Sequence, residues 1–322
     1  MPELSESALI ERYFRAAGAP RSDVVLGIGD DAAVVTVPAG SELVVTTDTL
    51  VAGVHFPAGT PAAAIGHRAL AVNLSDLAAT GARPAWALLA LTLPEALPAW
   101  LEEFAAGFAA LAREHRVALI GGDTTRGPLC ISVQLLGLVP VGEALRRSGA
   151  HAGDALLVSG TPGDAAAGLA LEQGRLSAPD AARAYLRERF LLPSPRVALG
   201  ERLRGYASAC IDVSDGLLGD AGKLAAASTL AAQIELERLP LSDALRSVLP
   251  GEGAAELALC GGDDYELCFA VPEARLAALL MELPPERWNY TRIGTLSAGS
   301  GTRVQRGGTV MEFSHSGYQH FG

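Results

Sequence analysis

Hydrophobic and polar positions in the first half of the chain follow two alternating patterns. Short apolar runs bounded by turn formers predict strands, and longer stretches with apolar residues at helical spacing predict helices. The predicted strands cover residues 43–48, 85–93, 117–123 and 131–139, and the predicted helices cover residues 61–80 and 98–114. Pro61 suits the first turn of its helix and Gly81 suits its end. This alternation predicts a mixed α/β (α+β) protein.

The segment 140–154, with the sequence PVGEALRRSGAHAGD, interrupts this pattern with glycine, charge and turn formers. The chain of 322 residues also exceeds the usual size of one domain. We therefore predict two domains, residues 1–145 and residues 146–322. The predicted elements of the second domain are a strand at 154–160, a capped helix in TPGDAAAGLALEQG, helices at 178–190 and 216–228, a strand at 231–236 and a turn-rich stretch at 261–271.

The composition indicates a globular, acidic protein. Hydrophobic residues make up 49% of the chain and charged residues only 19%, so each half can bury a core. The formal net charge of −11 argues against nucleic acid as a partner, because phosphate contacts need a basic surface. An acidic protein that binds phosphates needs another source of positive charge, and divalent cations are the obvious one.

The sequence also bears on location. Cys130, Cys210, Cys260 and Cys268 form no paired motif, which favours free thiols in a reducing compartment. The amino-terminal sequence MPELSESALIERYFRAAG has no basic region followed by an apolar core, and apolar runs such as Trp86 to Leu93 are too short to span a bilayer. We expect a cytoplasmic protein that has no membrane partner.

Aspartates stand where packing alone would not require them. Asp30 and Asp31 follow a Gly-Ile-Gly turn, Asp48 ends an apolar strand, Asp76 interrupts an apolar helix, and Asp123 follows two glycines. Gathered without cations, such carboxylates would repel by about 4 kcal/mol per pair near 4 Å at an effective dielectric of about 20. If they converge, the chemistry indicates Mg²⁺, which prefers oxygen ligands shared between carboxylates and phosphates.

Structural roles compete with this interpretation. Gly-Asp pairs are common in turns, and an Asp after a strand often caps the next helix. Ser214 or Asp215 could cap the helix that follows, or its amino terminus could hold a phosphate or its metal. His55 could be a packed or solvated histidine, and Arg147 a linker charge. The P-loop signature, the G-x-G-x-x-G fingerprint and the kinase loop motifs are absent from the sequence.

Taken together and in this order, the motifs resemble the thiamine-monophosphate kinase family, within the superfamily of aminoimidazole ribonucleotide synthetase. The matching stretches are GIGDDAAV (27–34), TTDTLVAGVHF (46–56), ALAVNLSDLAATGARPAWALLALTLP (69–94), IGGDTTRGP (120–128), RRSGAHAGD (146–154), SGTPGDAAAGL (159–169), LLPSPR (191–196), IDVSDGL (211–217) and GGDDYELCF (261–269). The resemblance therefore extends over almost the whole chain.

The resemblance implies a role for each candidate residue. It implies Mg²⁺ contacts from Asp31, Thr46, Thr47, Asp48, Asp76, Asp123, Asp212 and Asp215. It implies nucleotide contacts from Gly122, Asp123, Arg147 and Ser214, thiamine-phosphate contacts from His55, Asp263 and Tyr318, and catalytic roles for Asp48, Asp123 and Arg147. At position 263 the family commonly has Glu, so Asp263 is one methylene shorter.

The implied reaction is direct in-line transfer of the γ-phosphoryl group of ATP to thiamine monophosphate, with Mg²⁺ as cofactor. A phosphate oxygen is already anionic at neutral pH and needs no strong general base. The family also implies a homodimer formed through the sheet of the first domain. Competing hypotheses are another enzyme of the superfamily, acting on aminoimidazole precursors or selenide, and a nucleotide- or metal-binding maturation or sensor protein without turnover.

Overall fold

The computed structural model of the chain describes residues 5–313 and 315–320. Its contacts divide into two compact units. The first consists of residues up to Leu77 together with Ala82–Gly142, and the second consists of Ala78–Gly81 together with residues from Glu143 onward. The short segment Ala78–Gly81 packs with the second unit because the backbone oxygen of Thr80 accepts a hydrogen bond from Leu145 N and that of Gly81 accepts one from Arg204.

The first unit contains a four-stranded sheet, a two-stranded ribbon and two long helices. Its elements are α1 (Glu6–Leu9), a π-helical turn (Ile10–Phe14), β1 (Val24–Leu26), β2 (Val34–Val35), β3 (Ser41–Val51), α2 (Ala62–Ala79), β4 (Arg83–Leu93), α3 (Pro98–Glu114), β5 (Ala118–Arg126) and β6 (Cys130–Pro140). β1 and β2 form a small antiparallel ribbon. The main sheet has the order β3-β6-β4-β5, in which only β4 and β5 run parallel.

The second unit is built around a seven-stranded sheet. Its elements are β7 (Ala155–Ser159), α4 (Asp164–Glu172), α5 (Asp180–Leu191), α6 (Val197–Leu203), β8 (Ala209–Val213), α7 (Leu217–Ala227), β9 (Leu230–Glu235), a 3₁₀ turn (Leu236–Arg238), α8 (Asp243–Val248), α9 (Glu252–Cys260), β10 (Glu266–Val271), α10 (Glu273–Glu282), α11 (Pro285–Trp288), β11 (Tyr290–Ala298), β12 (Gly301–Arg306) and β13 (Thr309–Met311). The strand order is β13-β12-β9-β11-β7-β10-β8.

Three neighbouring strands of this sheet are buried on both faces. Every residue of β7, β8 and β10 is buried, which explains the continuous apolar runs in their sequences. β10 lies between β7 and β8, so the stretch predicted to be rich in turns is a turn that leads directly into a buried strand. The predicted helix 98–114 coincides with α3, and 61–80 differs from α2 by one residue at each end.

Two other expectations have a structural outcome here. All four cysteines are free, as predicted; Cys210, Cys260 and Cys268 are buried and Cys130 is half-buried. Burial raises the pKa of the Cys260 thiol to about 11, so this thiol stays protonated at neutral pH. In the part of the chain that the structure describes, no helix combines the length and apolar character needed to cross a bilayer.

Helices α2 and α3 approach each other through glycines. A methyl group added at Gly107 would lie 2.0 Å from the backbone oxygen of Ala63, and one added at Gly66 would lie 2.1 Å from that of Phe104. Both distances are far below contact distance, and backbone atoms cannot turn aside as a flexible side chain can. The two glycines therefore set the separation of the helices that pack in the first unit.

We predict that Gly107→Ala lowers the free energy of unfolding by about 1–3 kcal/mol, because the helices must separate to admit the methyl group. Gly253→Ala is the matched control, since a methyl group there meets only the Leu249 side chain at 3.6 Å. The control should be neutral or slightly stabilised through higher helix propensity. Urea unfolding of both variants checks this, and equal stabilities would contradict the close packing.

Candidate active site

An open cleft lies against the main sheet of the first unit. Its volume is about 1020 Å³, and Asp30, Asp31, Thr47, Gly122 and Asp123 are among the residues that line it. Each of the GIGDD, TTD and IGGD motifs therefore contributes to one cleft, but Thr46 and Asp48 of the TTD motif are not among its lining residues. The amino-terminal helical segment, the Gly-Ile-Gly-Asp-Asp loop and one face of the sheet form its walls.

Gly122 allows the chain to pass at the floor of this cleft. Its φ is +151°, and a methyl group on its Cα would lie 1.8 Å from the backbone oxygen of Leu89 in the neighbouring strand β4. No side chain fits there, so the backbone itself faces the cleft beside Asp123. A phosphate group can therefore come close to the backbone of Gly122.

The sheet register shows how the polar groups are spread. Asp123 pairs with Ala90, Ala90 with Ser132, and Ser132 with Thr49 in the edge strand β3. Thr47 lies in the same strand as Thr49 and lines the same cleft. Three strand spacings separate β3 from β5, about 14 Å along the sheet. The arrangement suits an extended polyphosphate with more than one cation better than a single compact metal site.

The predicted run Thr46, Thr47 and Asp48 does not point its three side chains in one direction. Successive side chains of a strand alternate between faces, so Thr46 and Asp48 lie on the face opposite Thr47. On that face the Thr46 hydroxyl donates a hydrogen bond to the carboxylate of Asp76 in α2. This contact explains an aspartate in the middle of an apolar helix.

His55 follows β3 in a loop that holds its ring in place. Its Nδ1 accepts a hydrogen bond from the backbone N–H of Val51 at 2.9 Å. In the neutral ring the proton is therefore on Nε2. The ring is thus oriented by the backbone of the strand that carries Thr46, Thr47 and Asp48.

The second group of candidate residues gathers at the end of β8 in the second unit. Asp212 is buried in the strand, and Ser214 and Asp215 form the turn that leads into α7. The backbone oxygen of Ser214 accepts from Asp263 N at 2.8 Å, and that of Asp215 accepts from Tyr318 N at 2.9 Å. The fold thus brings together segments that are some 50 and 100 residues apart in sequence.

The amino terminus of α7 is occupied by a carboxylate of the chain itself. One oxygen of Asp220 accepts from the backbone N–H groups of Ser214, Asp215 and Gly216 at 3.1, 3.1 and 3.2 Å. Gly216, not Ser214 or Asp215, is the capping residue, so the capping role considered for those two side chains is wrong. These three amides are satisfied by Asp220 and do not present an empty anion site.

Lys223 completes this cluster. Its ammonium group lies 2.5 Å from the carboxylate of Asp215 and 2.8 Å from that of Asp220. Burial opposes its charge, but hydrogen bonds to Asp215 and Asp220 outweigh burial and raise the pKa of Lys223. Sequence reasoning missed Asp220 and Lys223. The available signal was their spacing, which places both on the first turns of α7 facing Asp215.

The remaining candidates in this unit are more exposed. Tyr318 is half exposed, and its ring packs edge-on against His320 with 4.9 Å between ring centres. Arg147 lies in the connection before β7, where the backbone oxygen of neighbouring Arg146 accepts from Cys210 N in β8 at 2.9 Å. That contact places the Arg146–Arg147 segment beside β8.

A buried ion-pair network supports the segment after Asp263. The carboxylate of Glu266 is fully buried and accepts from Arg196 at 2.5 and 2.6 Å, from Arg189 at 2.7 Å and from the Ser159 hydroxyl at 2.5 Å. Burial opposes the charged form, but the charges and hydrogen bonds of the two arginines outweigh it, so the pKa of Glu266 is lowered. Glu266 therefore remains ionised at neutral pH.

The donor set of the first-unit cleft fits a hard cation such as Mg²⁺. Its polar lining supplies carboxylate and hydroxyl oxygens from Asp30, Asp31, Thr47 and Asp123, with no thiol or imidazole. Among residues 5–313 and 315–320, no group of three or more His, Cys, Asp or Glu side chains is arranged to hold a metal ion. Mg²⁺ commonly takes one or two protein carboxylates and completes its shell with water and substrate phosphates, so the two observations agree.

Comparison with known proteins identifies the family. Residues 29–139 match the N-terminal domain of the AIR synthase related proteins, and residues 151–307 match their C-terminal domain. Thiamine-monophosphate kinase of Escherichia coli K12 is 49% identical over 318 residues, covering 98% of both chains. The chain belongs to the thiamine-monophosphate kinase family.

Solved structures of this kinase family have the same fold. Thiamine-monophosphate kinase from Stenotrophomonas maltophilia is 52% identical, covers 96% of this chain and 98% of its own, and superposes with a TM-score of 0.86. AaThiL complexed with AMPPCP and TMP is 36% identical, covers 91% and 92%, and has a TM-score of 0.78. The predicted fold class, with two domains of mixed helix and sheet, is confirmed.

We predict that Glu266→Gln destabilises the kinase fold by about 3–5 kcal/mol at neutral pH, because it leaves two arginines without their buried partner. The stability that the lowered pKa represents is complete above the ordinary value of 4.5 and is lost as the pH falls through the folded-state pKa. The difference in free energy of unfolding between Glu266→Gln and the unsubstituted protein should therefore persist from about pH 5 to pH 7 and shrink below about pH 4.

Glu252→Gln is the matched control for this comparison. Glu252 pairs with Arg306 at 2.7 Å, but its side chain is 73% exposed, so its removal should cost at most about 1 kcal/mol. Chemical unfolding of the three proteins across this pH range measures the effect. A pH-independent difference for Glu266→Gln would show that the ion pair is not its cause.

Proposed function

We propose that this chain catalyses the ATP-dependent phosphorylation of thiamine monophosphate to thiamine diphosphate, a step of thiamine biosynthesis. The observation that carries the proposal is the match over nearly the full length to thiamine-monophosphate kinases, at 49% identity for the Escherichia coli K12 enzyme. A 36% identical relative has been solved with AMPPCP and TMP. The open cleft, with its exposed glycine backbone and carboxylates, has the chemistry that a metal-bound nucleotide requires.

The proposed reaction is a single in-line transfer. The acceptor is a phosphate oxygen that is anionic at neutral pH, so the protein has to align two polyanions rather than remove a proton. Gly122 and Ser214 contribute nucleotide contacts, and Arg147 pairs with phosphate oxygens through its planar guanidinium group. Asp48 and Asp123 would hold cations that offset the charge of the phosphates.

Mg²⁺ would be held as a cluster of ions, each taking a few of the ligands predicted from the sequence, which are Asp31, Thr46, Thr47, Asp48, Asp76, Asp123, Asp212 and Asp215. When bound, it neutralises phosphate charge and stabilises the charge that develops during transfer. The Thr46–Asp76 hydrogen bond fixes the Asp76 carboxylate before any ligand binds. Thr47 is proposed to contribute from the cleft face of β3, where its side chain points away from those of Thr46 and Asp48.

Thiamine monophosphate is proposed to contact His55, Asp263 and Tyr318. The thiazolium ring of thiamine is cationic, which suits a carboxylate and a half-exposed aromatic side chain. His55 has its ring oriented by Val51 N, so it can act as a fixed hydrogen-bonding group. We place the reaction in the cytoplasm.

The decisive experiment is product analysis after mixing the protein with Mg²⁺-ATP and thiamine monophosphate. Stoichiometric ADP and thiamine diphosphate are expected. Turnover of an aminoimidazole precursor or selenide in their place would assign the chain to another activity of the superfamily. Tight ATP binding with no ADP formed on addition of thiamine monophosphate would indicate a binding protein without turnover.

We predict that Asp76→Asn and Asp123→Asn each lower kcat by roughly a hundredfold or more, the scale for losing one preorganised electrostatic group. Asn keeps the shape of the side chain and removes its charge, so cation binding should weaken. Asp180→Asn, at the exposed start of α5, is the control and should retain full activity. Full activity of both site variants at saturating Mg²⁺ would contradict the proposed metal ligands.

We also propose that the protein is a homodimer formed through the first unit. β3 is an edge strand of eleven residues and exposes Leu43 and Val45, while the β1–β2 ribbon exposes Val25 and Val34. A long edge strand with exposed apolar side chains is a surface that a second copy can cover. Sedimentation at micromolar concentration should show twice the 33.2 kDa chain mass, and a monomer alone would refute the dimer.

A further inference from the structure

The turn before β10 holds two side-chain-bearing residues in a backbone conformation that normally requires glycine. Asp263 has a φ of +69° and Tyr265 a φ of +52°. Left-handed backbone is unfavourable for L-residues, and it persists only where surrounding contacts enforce it. Strain of this kind concentrates at ligand-binding positions.

The contacts that enforce this turn are local and specific. The N–H of Asp263 donates to the backbone oxygen of Ser214, and that of Tyr265 donates to Val213, both at 2.8 Å. Between them, the fully buried carboxylate of Asp264 accepts from Gly163 N at 2.7 Å and Ala165 N at 3.3 Å. Helix α4 has no side-chain cap from its own capping residue, so Asp264 supplies it.

The turn also orients a side chain. The hydroxyl of Tyr265 donates to Oδ1 of Asp263 at 3.1 Å. Tyr265 is only 8% exposed, so its phenol ring is fixed by packing, whereas Asp263 is half-buried and reaches the surface. A fixed phenol therefore holds the direction of a carboxylate that a ligand can reach.

We propose that Tyr265 is a positioning residue that presets the Asp263 carboxylate for a cationic, N–H-bearing heteroaromatic substrate. The inference rests on the proposed function, because it takes Asp263 as a contact of thiamine monophosphate. Asp264 fixes the turn through α4, and Tyr265 fixes the carboxylate through its hydroxyl. Preorganisation lowers the conformational cost of binding, so the hydroxyl contributes to affinity without touching the substrate.

The test is binding of thiamine monophosphate by calorimetry, with Mg²⁺ and a non-hydrolysable ATP analogue present. Tyr265→Phe removes only the hydroxyl and should weaken binding roughly threefold to tenfold, the scale of one hydrogen bond, with the affinity for the analogue unchanged. Tyr290→Phe is the matched control, because its buried hydroxyl donates instead to Leu283 O at 2.5 Å. That variant should bind thiamine monophosphate like the unsubstituted protein.

A double-mutant cycle shows whether Tyr265 acts through Asp263. Asp263→Ala should weaken binding, and adding Tyr265→Phe to it should change nothing further. Unchanged binding of thiamine monophosphate by Tyr265→Phe or by Asp263→Ala would overturn the inference. So would a loss of affinity from Tyr265→Phe that is as large in the Asp263→Ala background as in the unsubstituted protein. Failure of the unsubstituted protein to bind thiamine monophosphate would instead refute the proposed function.

Discussion

Burying a carboxylate is possible only where donors or cations replace the water that it loses, and the second unit meets this requirement at its most important positions. Asp220 accepts hydrogen bonds from three backbone amides and Lys223, Asp264 from two amides at the start of α4, and Glu266 from two arginines and a serine. Burial still raises the pKa of Asp220 and of Asp264, whereas the two arginines lower the pKa of Glu266. Asp264 and Glu266 bond to segments that are distant in sequence, whereas the partners of Asp220 lie within six residues of it. The ends of β8 and β10, where the candidate nucleotide and substrate residues lie, are joined by the backbone hydrogen bonds from Asp263 N to Ser214 O and from Tyr265 N to Val213 O.

The first unit solves a different problem. Its sheet must bury one face under apolar helices and still carry polar groups for a highly charged ligand. Alternation along β3 separates the two tasks, since Thr46 bonds to Asp76 on the helix face while Thr47 lines the cleft. In β5, Gly122 has no side chain, so its backbone is open beside Asp123. Gly66 and Gly107 allow α2 and α3 to pack closely against each other.

The two units thus use charge in opposite ways. In the second unit the buried acids Asp220, Asp264 and Glu266 bond to partners within the protein, and they shape the turns around Ser214 and Asp263. Acids that line the first-unit cleft, such as Asp31 and Asp123, are exposed. The buried, paired acids therefore hold the site in shape, and the exposed acids of the cleft are the ones available to cations and phosphates. This difference also explains how a chain with a net charge of −11 can be suited to polyanions.

The sequence by itself determined the fold class, the main strands and helices of the first half, and the family, because periodicity and ordered motifs are local properties. It also located the chemistry: Asp31, Thr47, Gly122 and Asp123 do line one cleft. Only the tertiary structure decided which acids are used for structure. Asp220 fills the amides at the start of α7, where a phosphate was one of the alternatives, and Asp264 caps a helix about 100 residues away. The pairing of Asp264 depends on the meeting of distant segments, which no local pattern encodes. Asp220 and its amides are close in sequence, but only the folded turn brings three N–H groups to one carboxylate oxygen.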